Sequence, residues 1–263
     1  LDAKEGKKPM SQAVLEAVQL TKRFGGLAAV NLVSLTLNHN DLHAVIGPNG
    51  AGKTTLTHLL SGDLLPTEGQ VLLNKKDVTR WSPEKLSHAG LGRSYQKINI
   101  FAPLTVWENV RLAAQSRFVQ KSFYPQHWLG RALNNSQIND LAHSALEKTS
   151  LVHRRDAIAG ATSHGEQRQL EIAITLATQP QVLLLDEPLA GMGTAEAQRM
   201  IELLLELKKS HAMMLVEHDM DAVFALADQL TVMVNGQVIA TGKPNDIRSD
   251  PLVQAAYLGE TTS

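Results

Sequence analysis

The run Gly47-Pro48-Asn49-Gly50-Ala51-Gly52-Lys53-Thr54 constrains this chain more than any other stretch. It matches G-x-x-x-x-G-K-[ST], a pattern that should arise by chance in roughly one chain in a hundred of this length. The residue types follow from what a phosphate needs. Glycines let backbone N–H groups turn inward around an anion. A helix that begins at the loop aims its partially positive end at the same anion. Lys53 adds a full charge for the β- and γ-phosphates, and the hydroxyl of Thr54 suits Mg²⁺. Context separates this reading from a plain glycine-rich turn. Leu42 to Ile46 is a strand-sized apolar run ahead of the loop. Behind it, Leu56, Leu59 and Leu60 share one helical face, and Gly62 is placed to end the helix. Gly47, Pro48, Asn49, Gly50, Ala51, Gly52, Lys53, Thr54 and Thr55 are therefore expected to hold a nucleotide.

A second run, Val182-Leu183-Leu184-Leu185-Asp186-Glu187-Pro188, is an apolar strand ending in two carboxylates. In open α/β sheets ligands sit at the carboxyl ends of strands. Asp186 is then placed to hold Mg²⁺ through water, and Glu187 to polarise an attacking water. Alone, the pair reads equally well as a solvated acidic turn. Beside a phosphate loop, the catalytic reading is the better one.

The 263 residues suffice for one large α/β domain with a smaller subdomain. A formal net charge of -1 offers no basic field for nucleic acid. The absence of cysteine removes disulfides, thiol catalysis and cysteine-based zinc sites, and fits a reducing compartment. No stretch approaches the ~20 apolar residues that span a bilayer, and the charged N-terminus lacks an apolar signal core. A soluble protein is expected, reaching a membrane only through partners. Residues 1–9, with their Lys, Gly and Pro, precede Met10; residues 1–13 are read as a flexible extension and 14–263 as a single domain.

Along that domain, Leu15 to Leu37 alternates apolar runs with turn residues, including Gly25-Gly26, and reads as antiparallel strands. Gly69 to Leu73 is another strand. From about 105 to 180 the helical period dominates. Val182 to Leu185 and Met213 to Val216 suit a buried parallel sheet. Between them, Ala195 to Lys209 is expected to be a helix with Met200, Ile201, Leu204 and Leu205 inward. Leu230 to Val234, Asn235-Gly236, then Gln237 to Ala240 predicts a hairpin with a type I′ turn. The aromatic segment Phe118 to Trp128 reads first as the closure of a helical hairpin, with a membrane surface or membrane partner as the alternative. His39 and His43 flank a strand rather than share a helix, and no metal is expected there.

Phe24, Gln96, the run Thr162-Ser163-His164-Gly165-Glu166-Gln167 and His218 complete a series with the two motifs above. In this order the chain resembles the nucleotide-binding subunits of ATP-binding cassette (ABC) transporters, over nearly its whole length from about Leu15. The resemblance implies an α/β P-loop ABC ATPase. It would have a RecA-like core, an N-terminal antiparallel β subdomain, and a helical subdomain at about 97–180 that carries the signature motif. It implies that Phe24 stacks on adenine, and that Gln96 joins the γ-phosphate and Mg²⁺ to a transmembrane partner. Ser163, His164, Gly165 and Glu166 would belong to the signature, which meets the ATP of a second subunit. His218 would act on the γ-phosphate. Glu187, His218 and Gln96 are thus the expected catalytic set, and Thr54, Gln96 and Asp186 the expected Mg²⁺ set.

Within the family, the stretches Phe24 to Val30, Ser163 to Ala173 and Ala255-Ala256-Tyr257-Leu258-Gly259 resemble the ATPases of branched-chain amino-acid importers. The implied function is hydrolysis of ATP to power import of branched-chain or related amino acids. The implied partners are transmembrane permeases and a second, distinct ATPase, at the cytoplasmic face of the inner membrane. A non-transport ABC ATPase, such as one of iron–sulfur assembly, is the alternative. Three departures stand out. Thr162 replaces the usual Leu. His164 and Glu166 replace Gly and Gln, as is common in this subgroup. Gly193 occupies the position of an aspartate that usually bonds across the dimer. Without that side chain a symmetric homodimer is disfavoured, and the isolated chain is expected to be a monomer or weak dimer.

Overall fold

The computed structural model describes residues 12–118 and 136–258. Its centre is a sheet in the order β10-β9-β3-β8-β7-β6. Strands β3 (Leu42–Ile46), β6 (Leu91–Arg93), β7 (Val182–Asp186), β8 (Ala212–Val216) and β9 (Gln229–Val234) are parallel, and β10 (Gln237–Gly242) closes one edge antiparallel. Every residue of β3, β7 and β8 is buried, as apolar runs without alternation require when both sheet faces are covered. Alternate side chains enter different cores. Leu42, Ala44, Ile46, Leu183, Leu185, Met213 and Leu215 face one. Val45, Val182, Leu184, Met214 and Val216, one residue out of step, face the other.

The first core is covered by helices: α3 (Val106–Ser116), α4 (Ser136–Lys148), α5 (His164–Ala177), α6 (Thr194–Lys208) and α7 (Met220–Leu226). Ile247 of α8 (Pro244–Arg248) and Val253 of α9 (Pro251–Leu258) complete it. The second core lies under the sheet β2-β1-β4-β5, made of β1 (Ala13–Phe24), β2 (Leu27–Asn38), β4 (Glu68–Leu73) and β5 (Lys76–Asp77). Helices α1 (Lys53–Leu60) and α2 (Pro83–His88) add Leu56, Leu59, Leu60 and Leu86 to it. The β1–β2 pairing is antiparallel and turns at Gly25-Gly26, as the sequence suggests. Among the described residues no helix is long and apolar enough to cross a membrane.

Other local signals act where the sequence puts them. Ser61 caps α1 and Gly62 follows at φ 76. Asn235 (φ 49) and Gly236 (φ 78) make the β9–β10 turn left-handed at both central residues, the type I′ geometry. One expectation needs correction. Helix α6 buries Met200, Leu203, Leu204 and Leu207, whereas Leu205 is 37% exposed and Ile201 only partly covered. Three successive leucines allow two apolar arcs, and the sheet selects the stripe at i, i+3, i+4 and i+7. Of the expected extension at 1–13, residues 1–11 lie outside the described residues, and Ala13 already pairs with Asn38. Phe123, Tyr124 and Trp128 also lie outside them, and Phe118 is exposed just after α3.

His43 is a titratable group inside this framework. Its Nδ1–H donates to the Thr36 carbonyl at 3.3 Å, so Nε2 accepts the Thr231 hydroxyl at 2.7 Å. Thr231 Oγ1 in turn lies 2.8 Å from Thr241 Oγ1. The neutral ring is satisfied on both sides. Burial penalises the imidazolium and pushes the pKa down to about 4, against a smaller opposing pull from the Thr36 carbonyl. An unfolded His43 titrates near 6.5. The native state is therefore favoured fully above that value, and the advantage is lost as pH falls toward about 4. His43→Gln should flatten the pH dependence of unfolding free energy by about 1.5 kcal/mol between roughly pH 6.5 and 5. Urea titrations across that range check it; a variant with the parent's slope would contradict the assignment.

Candidate nucleotide site

Strands β3, β6, β7 and β8 all deliver their following loops to one edge of the central sheet. After β3 comes the phosphate loop. Gly47 sits at φ 153, and a Cβ there would meet the Met233 carbonyl oxygen at 2.0 Å. Gly52 sits at φ 99, and a Cβ there would meet the Ala29 carbonyl oxygen at 2.3 Å. Only glycine fits both conformation and space. The β9–β10 turn braces the loop, with Gly236 N–H donating to the Ala51 carbonyl at 3.0 Å. Lys53 is buried, and its Nζ donates to the carbonyls of Gly47 at 2.6 Å and Pro48 at 3.0 Å. Burial lowers the Lys53 pKa, while Glu187 and Asp186 work in the opposite sense.

A cavity of about 210 Å³ opens beside this loop. It is lined by Asn49, Gly50, Ala51, Gly52, Lys53, Thr54 and Thr55, and by Gln96, Glu187, His218 and Ala29. Residues expected to act together from three distant parts of the chain do converge. His218 Nε2 is 2.7 Å from Glu187 Oε1, and Gln96 Nε2 donates to Glu187 Oε2 at 3.4 Å. Glu187 holds φ 51, unusual for a residue with a side chain and costing about 1–2 kcal/mol. Its N–H is nonetheless satisfied, donating to the Val216 carbonyl at 2.9 Å. The turn aims the carboxylate into the cavity. Glu217 underpins it, accepting the N–H groups of Leu189 at 2.8 Å and His218 at 3.0 Å. Burial raises the Glu217 pKa, and those N–H groups oppose the rise.

Asp186 is 1% exposed, and neither carboxylate oxygen has a hydrogen-bond partner within the protein. Burial, reinforced by Glu187, raises its pKa, while Arg93, His58 and Lys53 pull the other way. A buried carboxylate with both oxygens unpaired is costly. A hard divalent cation with oxygen ligands relieves that cost, so the residues present fit Mg²⁺. Phe24 does not line the cavity. It is 49% exposed at the β1–β2 turn, with Lys22 Nζ 5.4 Å from its ring centroid, and β2 then carries Ala29 to the cavity.

Of the signature residues, Ser163, Gly165 and Glu166 line a second cavity of about 170 Å³ and His164 does not; this lining shares no residue with the first. Ser163 caps α5: its Oγ accepts the Glu166 N–H at 3.2 Å, and Glu166 Oε2 accepts the Ser163 N–H at 2.9 Å. Glu166 Oε1 also pairs with Arg154 Nε at 2.7 Å. The glutamate at this position thus has a structural task that the sequence reading did not give it. His164 packs over Gly191, where a Cβ would meet its Cε1 at 3.1 Å. Ser163 Oγ donates to Glu196 Oε1 at 3.2 Å, and a Cβ on Gly165 would meet the same carboxylate at 2.7 Å. Gly193 has open space around it, so the chain's own packing does not demand glycine there.

Glu196, Glu217 and Ala29 were missed from sequence. Glu196 carried one signal, its place in the first turn of a helix that starts beside the acidic strand.

This arrangement can be set beside known proteins. The ABC transporter family model matches residues 30–190, and a model of the branched-chain amino acid ATP-binding cassette transporter matches residues 237–262. The chain is 38% identical over 255 residues to the high-affinity branched-chain amino acid transport ATP-binding protein LivG of Salmonella typhimurium, covering 95% of this chain and 100% of that protein. It is 37% identical to the corresponding protein BraF of Pseudomonas aeruginosa, with the same coverage. Its fold matches an ATP-binding cassette of an ABC transporter in the ADP conformation with a TM-score of 0.82, at 32% identity, covering 95% of this chain and 100% of that one. With a phosphate loop and Glu187, the residue that follows the acidic strand, facing one cavity, the chain belongs to the ABC transporter family, as an ATP-binding and ATP-hydrolysing subunit.

Proposed function

We propose that this subunit hydrolyses ATP at Glu187 to power import of branched-chain or related amino acids. The observation that carries the catalytic part is the position of the Glu187 carboxylate. It stands in the phosphate-loop cavity between His218 Nε2 at 2.7 Å and Gln96 Nε2 at 3.4 Å. The names of the LivG and BraF relatives support the transport part.

In this reading the triphosphate lies along residues 47–55, with the Lys53 ammonium and the N-terminus of α1 facing its charge. Phe24 stacks on the base. A water attacks the γ-phosphorus, its proton passes to Glu187, and the bond to the β–γ bridging oxygen breaks with its electron pair left on ADP. His218 fixes the Glu187 carboxylate through the contact already in place, and its other ring edge serves the γ-phosphate. Asp186 (through water), Thr54 and Gln96 would hold Mg²⁺, which would supply positive charge beside the phosphate oxygens.

The signature cavity is separate from the phosphate-loop cavity, so it serves the nucleotide of a second ATPase subunit. An entering phosphate meets Ser163, His164, Gly165 and Glu166 and must displace the Glu196 carboxylate from the Ser163 hydroxyl. ATP thereby favours the closed pair, and hydrolysis releases it. Gly193 favours a distinct paralogue as that second subunit, because such a partner can restore on one side the contact a glycine lacks. Permeases complete the assembly and hold this subunit at the cytoplasmic face of the inner membrane. The net charge of -1 supports no nucleic-acid partner.

Glu187→Gln tests the chemistry. It should keep ATP binding and lower turnover by at least about a hundredfold; hydrolysis near the parent rate would contradict the role of Glu187. Sedimentation of the same variant with ATP and Mg²⁺ tests the partnership. The expected result is a monomer or weak dimer alone and a tight mixed dimer with the second ATPase. A homodimer at low micromolar concentration, no weaker than the mixed one, would contradict it.

A further inference from the structure

The loop after β6 that carries Gln96 is held from behind by a buried ion pair on the signature helix. Arg168 and Glu171 of α5 are one turn apart and have side-chain exposures of 6% and 5%. Arg168 Nη2 donates to the Gln96 carbonyl at 2.6 Å, and Nη1 donates to the Tyr95 carbonyl at 2.8 Å. Nη1 also reaches Glu171 Oε2 at 3.2 Å. Glu171 Oε1 accepts the Tyr95 N–H at 3.0 Å, and the same carboxylate takes the Asn99 N–H. One side-chain pair therefore grips the backbone on both sides of Gln96. The price is visible: Arg168 Nε is buried without a partner, so the guanidinium is oriented by the two carbonyls rather than by its own full satisfaction.

We infer that Arg168 and Glu171 are positioning residues that act through Gln96, tying its side chain to the orientation of the signature helix. The inference rests on the proposed roles of Gln96 and Glu187. Ser163 caps α5 and Arg168 lies five residues further along the same helix, about 7.5 Å by helical rise. A helix is stiff over that length. A partner nucleotide that tilts α5 at Ser163 therefore moves the Tyr95 and Gln96 carbonyls through charge-assisted, desolvated hydrogen bonds. The Gln96 amide ends 3.4 Å from Glu187 Oε2, so the movement reaches the carboxylate that handles water. Arginine is required for geometry, because two carbonyls on one backbone stretch need a planar fork with two terminal nitrogens. A lysine keeps the charge beside Glu171 but offers a single nitrogen.

The experiment is a double-mutant cycle on steady-state hydrolysis by the full chain purified with its membrane partners, at saturating Mg²⁺. Arg168→Lys should lower kcat about tenfold and leave KM for ATP within about twofold, since no phosphate contact is touched. Gln96→Ala should lower kcat on its own. In the double variant the Arg168→Lys effect should vanish, leaving the kcat of Gln96→Ala. If Arg168→Lys folds poorly, Glu171→Gln is read by the same cycle, because it keeps an oxygen for the Tyr95 N–H while removing the charge that pins Arg168. Multiplicative effects of the two changes, or a rise in KM without loss of kcat, would overturn the positioning role while leaving that of Gln96 intact. An unchanged kcat for Gln96→Ala would overturn both.

Discussion

Parallel pairing of β3 with β8, and of β8 with β7, makes the chain leave the central sheet at the same edge each time. The charged groups of the site depend on that constraint. Lys53 follows β3, Asp186 ends β7 with Glu187 just beyond, and Glu217 with His218 follows β8. These groups are far apart in sequence and meet because the strands share a direction. Both faces of the strands are buried, so register errors would move whole rows of leucine, valine and methionine into the wrong core. Hydrophobic patterning thus aligns the carboxylates, although none of the apolar residues touches the chemistry.

The same edge concentrates desolvated charge. Lys53 is held by two backbone carbonyls, and Glu217 by backbone N–H groups, so each is provided for within the protein. Asp186 is not, and its two oxygens are unpaired at 1% exposure. Glu187 carries its own cost in a left-handed backbone conformation at φ 51. Stored costs of this kind gather where a ligand repays them. A cation near Asp186 and a phosphate near Lys53 would satisfy the groups that the fold leaves wanting.

Much of this was legible in the sequence where the signal is local. The phosphate loop, the strand Val182 to Asp186 and the Asn235-Gly236 turn each carry their reason within a few residues, as glycine conformations or apolar runs. The inward face of α6 was misread because Leu203-Leu204-Leu205 supports two arcs, and only the sheet beneath decides between them. Glu166 was read as a ligand residue, and its further task as the cap of α5 paired with Arg154 gave no separate signal. Arg168 and Glu171 gave no signal at all. Their partners lie 72 to 76 residues away at Tyr95 and Gln96, and a charged pair three apart on a helix ordinarily reads as a solvated face. Glu196 is similar, since its carboxylate acquires meaning only when Ser163 is brought against it from 33 residues upstream.

The central claim is that the unpaired carboxylate of Asp186 and the phosphate loop together form one site for a nucleotide and its cation. The most direct measurement is ATP affinity with and without Mg²⁺, by equilibrium titration, for the parent chain and for Asp186→Asn. Mg²⁺ should tighten ATP binding by the parent several-fold. Asp186→Asn should lose most of that gain while binding Mg²⁺-free ATP at least as well, because a negative charge near the phosphates has gone. Equal Mg²⁺ dependence in the two proteins would contradict it.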